Sequence, residues 1–203
     1  MIFVIDPGHG MDNRNKGSYD PGAVWPGARG KIPNDQTEAG LALIYALALQ
    51  AVLEEGGHTV HLTRPTWDTG RSLSARVALA KRSKADLLVS LHLNAAPDAL
   101  KGKARGHECL YRRQPWSAAI ARRISDALAP IIPPHGAGVV ERKDLAVLAY
   151  TPSVLVELGF IDHDEDYALL MDASNRAAIC AAIAKAIGME PQISQISQKG
   201  PNV

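Results

Sequence analysis

The sequence predicts a single α/β domain: a mostly parallel, twisted sheet of about six strands with helices on both faces. Three observations predict it. Short apolar runs alternate with longer segments of helical periodicity along most of the chain, the pattern that lays helices over a parallel sheet. Three of those runs, at Ile2–Ile5, Leu87–Leu91 and Val154–Val156, lead into a polar residue at their C-terminal end. The 203 residues are enough for one sizeable core and short for two.

The elements follow in order. Ile2–Asp6 is apolar and stops at Pro7-Gly8, a buried strand ended by turn residues. Residues 8–33 are rich in Gly, Asn and Pro and read as a long loop, a feature often functional in a compact domain. Asn34 or Asp35 is the expected cap of a helix that runs to about Glu55 and stops at Gly56-Gly57. His58–Arg64 alternates as a strand. Ser72–Ser83 reads as a helix with Leu73, Val77 and Ala80 on one face. Asp86–Leu93 and Gly106–Arg112 are strands, and Ser117–Leu128 is a helix ending before Pro130. Leu145–Tyr150 and Val154–Gly159 are the last two expected strands. Helices at Asp164–Met171 and Asn175–Ile187 close a domain of residues 1–187. Residues 188–203 have little to bury and read as a flexible tail.

Composition excludes several classes. Net charge is +1, so no strong field draws the chain to nucleic acid or an anionic membrane. Arg112, Arg113, Arg122 and Arg123 form a basic stretch, two of them read as part of a solvated helix face. Apolar residues from Ala39 to Leu53 are bounded or interrupted by Glu38, Gln50, Glu54 and Glu55, so they do not read as a membrane span. Met1 leads straight into a strand, which gives no secretory signal and implies synthesis in the cytoplasm. Cys109 and Cys180 read as buried free thiols.

The chemistry sits at strand ends. In open α/β sheets, ligands bind beyond the carboxyl ends of the strands. Asp6-Pro7-Gly8-His9-Gly10, Leu91-His92-Leu93-Asn94 and Val156-Glu157-Leu158-Gly159 therefore bring His9, His92 and Glu157 toward one place, and Glu38 enters from the start of the next helix. Two imidazoles and one carboxylate form a common ligand set for catalytic zinc, and a further polar group is needed as base. No HExxH is present. His58, His61, His107, His135 and His163 have no motif support.

These segments resemble, in order, those of the zinc-dependent N-acetylmuramoyl-L-alanine amidases of the amidase-3 type. The matching motifs are Asp6 to Gly10, Glu38, Thr63-Arg64, Leu73 to Arg76, Ser90/His92/Asn94, Gly106 to Glu108 and Val156 to Phe160. Together they cover about residues 2–187. Ala39 stands where the family usually has Lys, and Leu93 where it usually has Ala. The resemblance implies one zinc ion held by His9, Glu38 and His92, with Asp20 and Asp35 as the fallbacks for Glu38. It makes Glu157 the catalytic carboxylate that relays a proton during hydrolysis of the lactyl–L-alanine amide of peptidoglycan.

Other residues stay open. Glu108 either orients a ligand histidine or faces solvent. Asn94 and Arg76 either position substrate or brace loops, and bracing is favoured. Trp25 either stacks on a sugar or covers a core edge. A zinc carboxypeptidase is the alternative enzyme and would need Arg64, Arg71 or Arg142 to clamp a terminal carboxylate. A metal-free wall-binding module would be expected to lack one of the four site residues. Some family members block their metal with a helical insertion before the G-x-E strand. Here residues 95–105 allow about three helical turns at most, interrupted by Pro97 and Gly102. The expectation is an open site on a monomer that needs no activating partner and acts on the bacterial wall, as a phage endolysin does.

Overall fold

The computed structural model describes residues 1–12, 18–28, 34–112 and 114–188. Its elements are β1 (Ile2–Pro7), β2 (Gly10–Asp12), β3 (Ser18–Asp20), α1 (Glu38–Glu55), β4 (Thr59–Leu62), α2 (Leu73–Ser83), β5 (Leu87–Asn94), β6 (His107–Tyr111), α3 (Pro115–Leu128), β7 (Pro134–Glu141), β8 (Ser153–Phe160), α4 (Asp164–Met171) and α5 (Ala173–Gly188). Six strands form one sheet in the order β4-β1-β5-β8-β6-β7. Every neighbouring pair is parallel except β6 with β8.

Alternation along the strands sends side chains to two cores. Phe3 and Ile5 of β1, Val89 and Leu91 of β5 and Val154 and Val156 of β8 pack with Leu41 and Leu49 of α1, Ile124 of α3 and Ile183 of α5. Val4, Leu88 and Leu155, one residue out of phase, pack on the other face against Ala80 of α2 and Val147 and Leu148. This period of two is what a strand buried on both faces requires. Cys109 and Cys180 are buried and free.

The sheet has the expected number of strands, but one of them is different. Residues 145–150 are not a strand: Ala146–Ala149 form a 3-10 turn that buries Val147 and Leu148. A short apolar run without alternation does not distinguish strand from turn. The sixth strand is β7, whose opening Pro134-His135-Gly136-Ala137-Gly138 reads as loop. It lies at the sheet edge, bonded to β6 alone, where a proline costs no ladder bond. Three smaller corrections follow. The long loop holds the hairpin β2–β3, with Met11 opposite Tyr19. The cap of α1 is Thr37, whose hydroxyl accepts from the Gly40 amide at 3.1 Å, while residues 34–36 form a separate 3-10 turn. Leu73 does not share the buried face of Val77 and Ala80 but is 49% exposed. Gly188 ends α5, and the remainder of the expected tail lies outside the described residues.

Candidate active site

Four segments meet at the carboxyl end of the sheet. His9 follows β1 in a turn and holds φ +56°, a left-handed conformation uncommon outside glycine. His92 lies near the end of β5, in register with Glu157 on β8. Glu38 is the first residue of α1, placed by the Thr37 cap. His9 Nε2 lies 3.1 Å from Glu38 Oε1 and His92 Nδ1 lies 2.8 Å from the same oxygen. The ligand atoms of His9, Glu38 and His92 all lie within 4.8 Å of one another. The two histidine rings meet edge to face at 5.1 Å between centroids.

Glu38 and His9 are each held from behind. Glu38 Oε1 accepts from the Leu93 amide at 3.2 Å and Oε2 from the Ala23 amide at 2.9 Å. Asp20 Oδ2 accepts from His9 Nδ1 at 2.8 Å, which leaves Nε2 to point inward. Asp20 is therefore the partner of a candidate ligand, not the substitute for Glu38, and Asp35 is not in the cluster. Glycines make the close approaches possible. A Cβ on Gly8 would stand 2.4 Å from the His92 ring, and one on Gly22 (φ +64°) 2.5 Å from Glu38 Oε2.

Beneath the turn lies a buried polar network. Asp6 pairs with Arg76 at 2.7 Å and accepts from Ser90 and Thr63. Arg76 also donates to the carbonyls of Pro7 and His9 at 2.6 and 2.7 Å, so it braces the turn that carries His9. Arg64, fully buried, donates from Nη2 to the carbonyls of Gly8 at 3.0 Å and Ala39 at 2.7 Å. One nitrogen thus ties the residue before His9 to the residue after Glu38. Sequence reasoning assigned no such role to Arg64. The signal available was a cation at the end of an alternating strand, at a position where burial demands a reason.

Electrostatics set the four groups apart. Burial opposes charge on His9, but hydrogen bonds to Glu38 and Asp20 overcome it and raise its pKa to about 9. Burial would raise Glu38, and His9 with His92 instead hold it far below the ordinary carboxylate range. Glu157 behaves oppositely. Burial pushes it up to about 7, with the charges of Glu38 and Glu108 adding and His92 opposing. Among the described residues nothing donates to its buried Oε2. The arrangement offers an anionic ligand between two imidazoles, a donor set suited to a divalent metal, and next to it a carboxyl that exchanges a proton near neutrality.

The remaining candidates lie apart from the cluster. Glu108 is opposite Glu157 across the antiparallel pair and makes no described hydrogen bond to His9 or His92; burial raises its pKa. Asn94 Oδ1 accepts from the amide of its neighbour Ala95 at 2.8 Å. Trp25 stacks on Tyr167 at 4.8 Å and packs against the core, so it covers a core edge. His107 is a core residue bonded to Ile132 and Ser125.

Residues 3–189 match the family described as N-acetylmuramoyl-L-alanine amidase. The chain is 31% identical to the N-acetylmuramoyl-L-alanine amidase LytC of Bacillus subtilis over 187 residues, 89% of this chain and 34% of LytC. It thus spans about a third of that curated relative. Among solved structures it is similar to the catalytic domain of CwlV, an N-acetylmuramoyl-L-alanine amidase from Bacillus (Paenibacillus) polymyxa var. colistinus. The TM-score is 0.76 at 27% identity, covering 92% of this chain and 95% of that one. It is also similar to the CwlD amidase of Clostridioides difficile, solved in complex with the GerS lipoprotein, with TM-score 0.76 at 25% identity and coverage of 92% and 96%. With its four segments matched in order and its fold shared, the chain belongs to the N-acetylmuramoyl-L-alanine amidase family.

Proposed function

We propose that the chain is a zinc amidase that hydrolyses the bond between the lactyl carbonyl of N-acetylmuramic acid and L-alanine in peptidoglycan. The observation that carries the reading is the convergence of His9 Nε2, His92 Nδ1 and Glu38 Oε1, with Glu157 in register beside His92 on the neighbouring strand. Zinc–nitrogen bonds of about 2.0–2.1 Å would put tetrahedral ligand atoms roughly 3.4 Å apart; the two separations to Glu38 Oε1 are 3.1 and 2.8 Å, and all three ligand atoms lie within 4.8 Å of one another. Three protein ligands also leave a position open, as a hydrolytic zinc requires.

An ion held by His9, Glu38 and His92 would supply Lewis acidity to polarise a carbonyl and acidify water. The chain's own residues do the rest. Glu157 takes the proton from the attacking water and passes it to the departing L-alanine nitrogen, the part of a general acid–base group. Asp20 fixes the His9 ring through Nδ1, and the Leu93 and Ala23 amides fix both oxygens of Glu38. Such outer contacts orient ligands.

The carboxypeptidase alternative loses two of its three clamps. Arg64 is buried on carbonyls, and Arg142 is bound by Asp144 through two hydrogen bonds. We further propose a monomer whose site works without an activating partner. Supporting this, the turn at Asp98–Leu100 is exposed and Asp98 pairs with Lys101, not with a residue of the cluster. The site of action proposed is the bacterial wall; among the described residues no helix is long and apolar enough to cross a membrane.

His9→Ala and His92→Ala test the ligand assignment. Each is expected to lose zinc, measured by elemental analysis, and amidase activity, while circular dichroism shows a folded domain. Retention of full zinc by either variant would overturn the assignment.

A further inference from the structure

Beside His9 and His92 a cleft of about 220 Å³ opens between the hairpin and the start of α2, with Met11, Leu73 and Val147 supplying apolar walls. Two of its charged pairs are internally settled. Asp6 is neutralised by Arg76, and Asp20 is bonded to His9. Arg71, which lines the same cleft, is different. Its Nε donates to the Thr63 carbonyl at 2.9 Å, and its own carbonyl accepts from Arg76 at 3.2 Å. The stem and backbone are therefore anchored to the network beneath the site. Among the described residues, none accepts from Nη1 or Nη2. A guanidinium carries five N–H donors, and here the Nη edge that binds carboxylates in a bidentate fork is left for a ligand.

We propose that Arg71 is the carboxylate receptor of the substrate cleft and binds the peptide side of the substrate, at the residue that follows L-alanine. The proposal rests on the amidase reading above. The chemistry selects the side. In an amide-linked muramoyl peptide the lactyl carboxyl is consumed by the scissile bond, so the glycan offers no anion there, whereas the stem peptide keeps its carboxylates. The apolar walls of Met11, Leu73 and Val147 suit short alkyl side chains on the same segment. Leu73, 49% exposed at the first turn of α2, then has a use that core packing does not give it.

The test uses two muramoyl peptides of one sequence that differ only at the residue after L-alanine, free α-carboxylate in one and carboxamide in the other. The whole chain, loaded with zinc, is expected to favour the acid in kcat/KM by roughly ten- to hundredfold, the worth of a hydrogen-bonded charge pair. Most of the difference should fall in KM. Arg71→Gln should bring the acid-to-amide ratio to about one, and Arg71→Lys should restore part of it. A residue that only braced the loop would lower both substrates together and leave the ratio unchanged. That result, or a wild-type chain that does not distinguish the two peptides, overturns the proposal. Calorimetric binding of the same peptides keeps the two readings separable. A chain that binds the acid more tightly in an Arg71-dependent way, yet frees no L-alanine amine, contradicts the amidase reading and retains Arg71 as receptor. Equal cleavage of both peptides contradicts Arg71 alone.

Discussion

Glu157 and Arg64 each carry a burial cost that their own contacts do not recover. Glu157 has its pKa raised to about 7 and an orphaned oxygen. The sign of its effect on folding follows. A carboxyl whose folded pKa lies above the unfolded value of about 4.3 costs nothing below that value. It costs progressively more as pH rises through about 7. Glu157→Gln should therefore raise the melting temperature of the metal-free protein at pH 8, by a stability gain on the order of 2 kcal/mol, and leave it unchanged at pH 4. The same variant should retain zinc and lose at least about 10²-fold in turnover. Loss of zinc from a folded Glu157→Gln protein would make Glu157 a ligand. Arg64 is the second case. Its Nε and Nη1 find no acceptor among the described residues, and burial together with Arg76 lowers its pKa to about 10. Arg64→Met removes the donor shared by the Gly8 and Ala39 carbonyls and should weaken zinc affinity roughly 10- to 100-fold, read by chelator competition. Unchanged affinity would reduce Arg64 to a packing residue.

At the scale of elements, legibility followed the strength of the local pattern. β1, β5 and β8 were readable because continuous apolar runs ended in Asp6, His92 and Glu157, and each end lies at the site. α1 was readable through its length and its Gly56-Gly57 stop, although its cap is Thr37. β7 was hidden because Pro134, Gly136 and Gly138 are turn residues by local preference, and only pairing to β6 extends them. Asp20, seen in the sequence as a fallback ligand, takes its position from the hairpin β2–β3, whose three-residue strands carry no periodicity to read. The anchor of β6 is His107, fully buried between Ile132 and Ser125. Burial lowers its pKa. Its contribution is complete above the unfolded value of about 6.5 and is lost as pH falls below that toward its folded value. His107→Gln should thus destabilise the protein by about 1–3 kcal/mol at pH 8, and the gap to wild type should narrow by pH 5. Denaturant melts at both values check this; a gap constant with pH would mean that His107 does not titrate in this window.

The whole molecule places a metal-sized cluster on a core that does not need it. Both faces of the sheet are packed by apolar side chains from α1, α3 and α5 on one side and α2 with the 146–149 turn on the other. Zinc removal is therefore expected to silence the chain without unfolding it, unlike a domain whose folding energy is its metal. The central claim is hydrolysis at one bond by this cluster, and product analysis tests it most directly. Purified chain is incubated with peptidoglycan alone, with chelator, and with zinc restored, and the products are read by mass spectrometry. New L-alanine amino termini and intact muramic acid are expected, abolished by chelator, recovered with zinc and requiring no second protein. Release of terminal D-alanine in place of L-alanine amines, or undiminished cleavage in chelator from a chain verified to be metal-free, would contradict it.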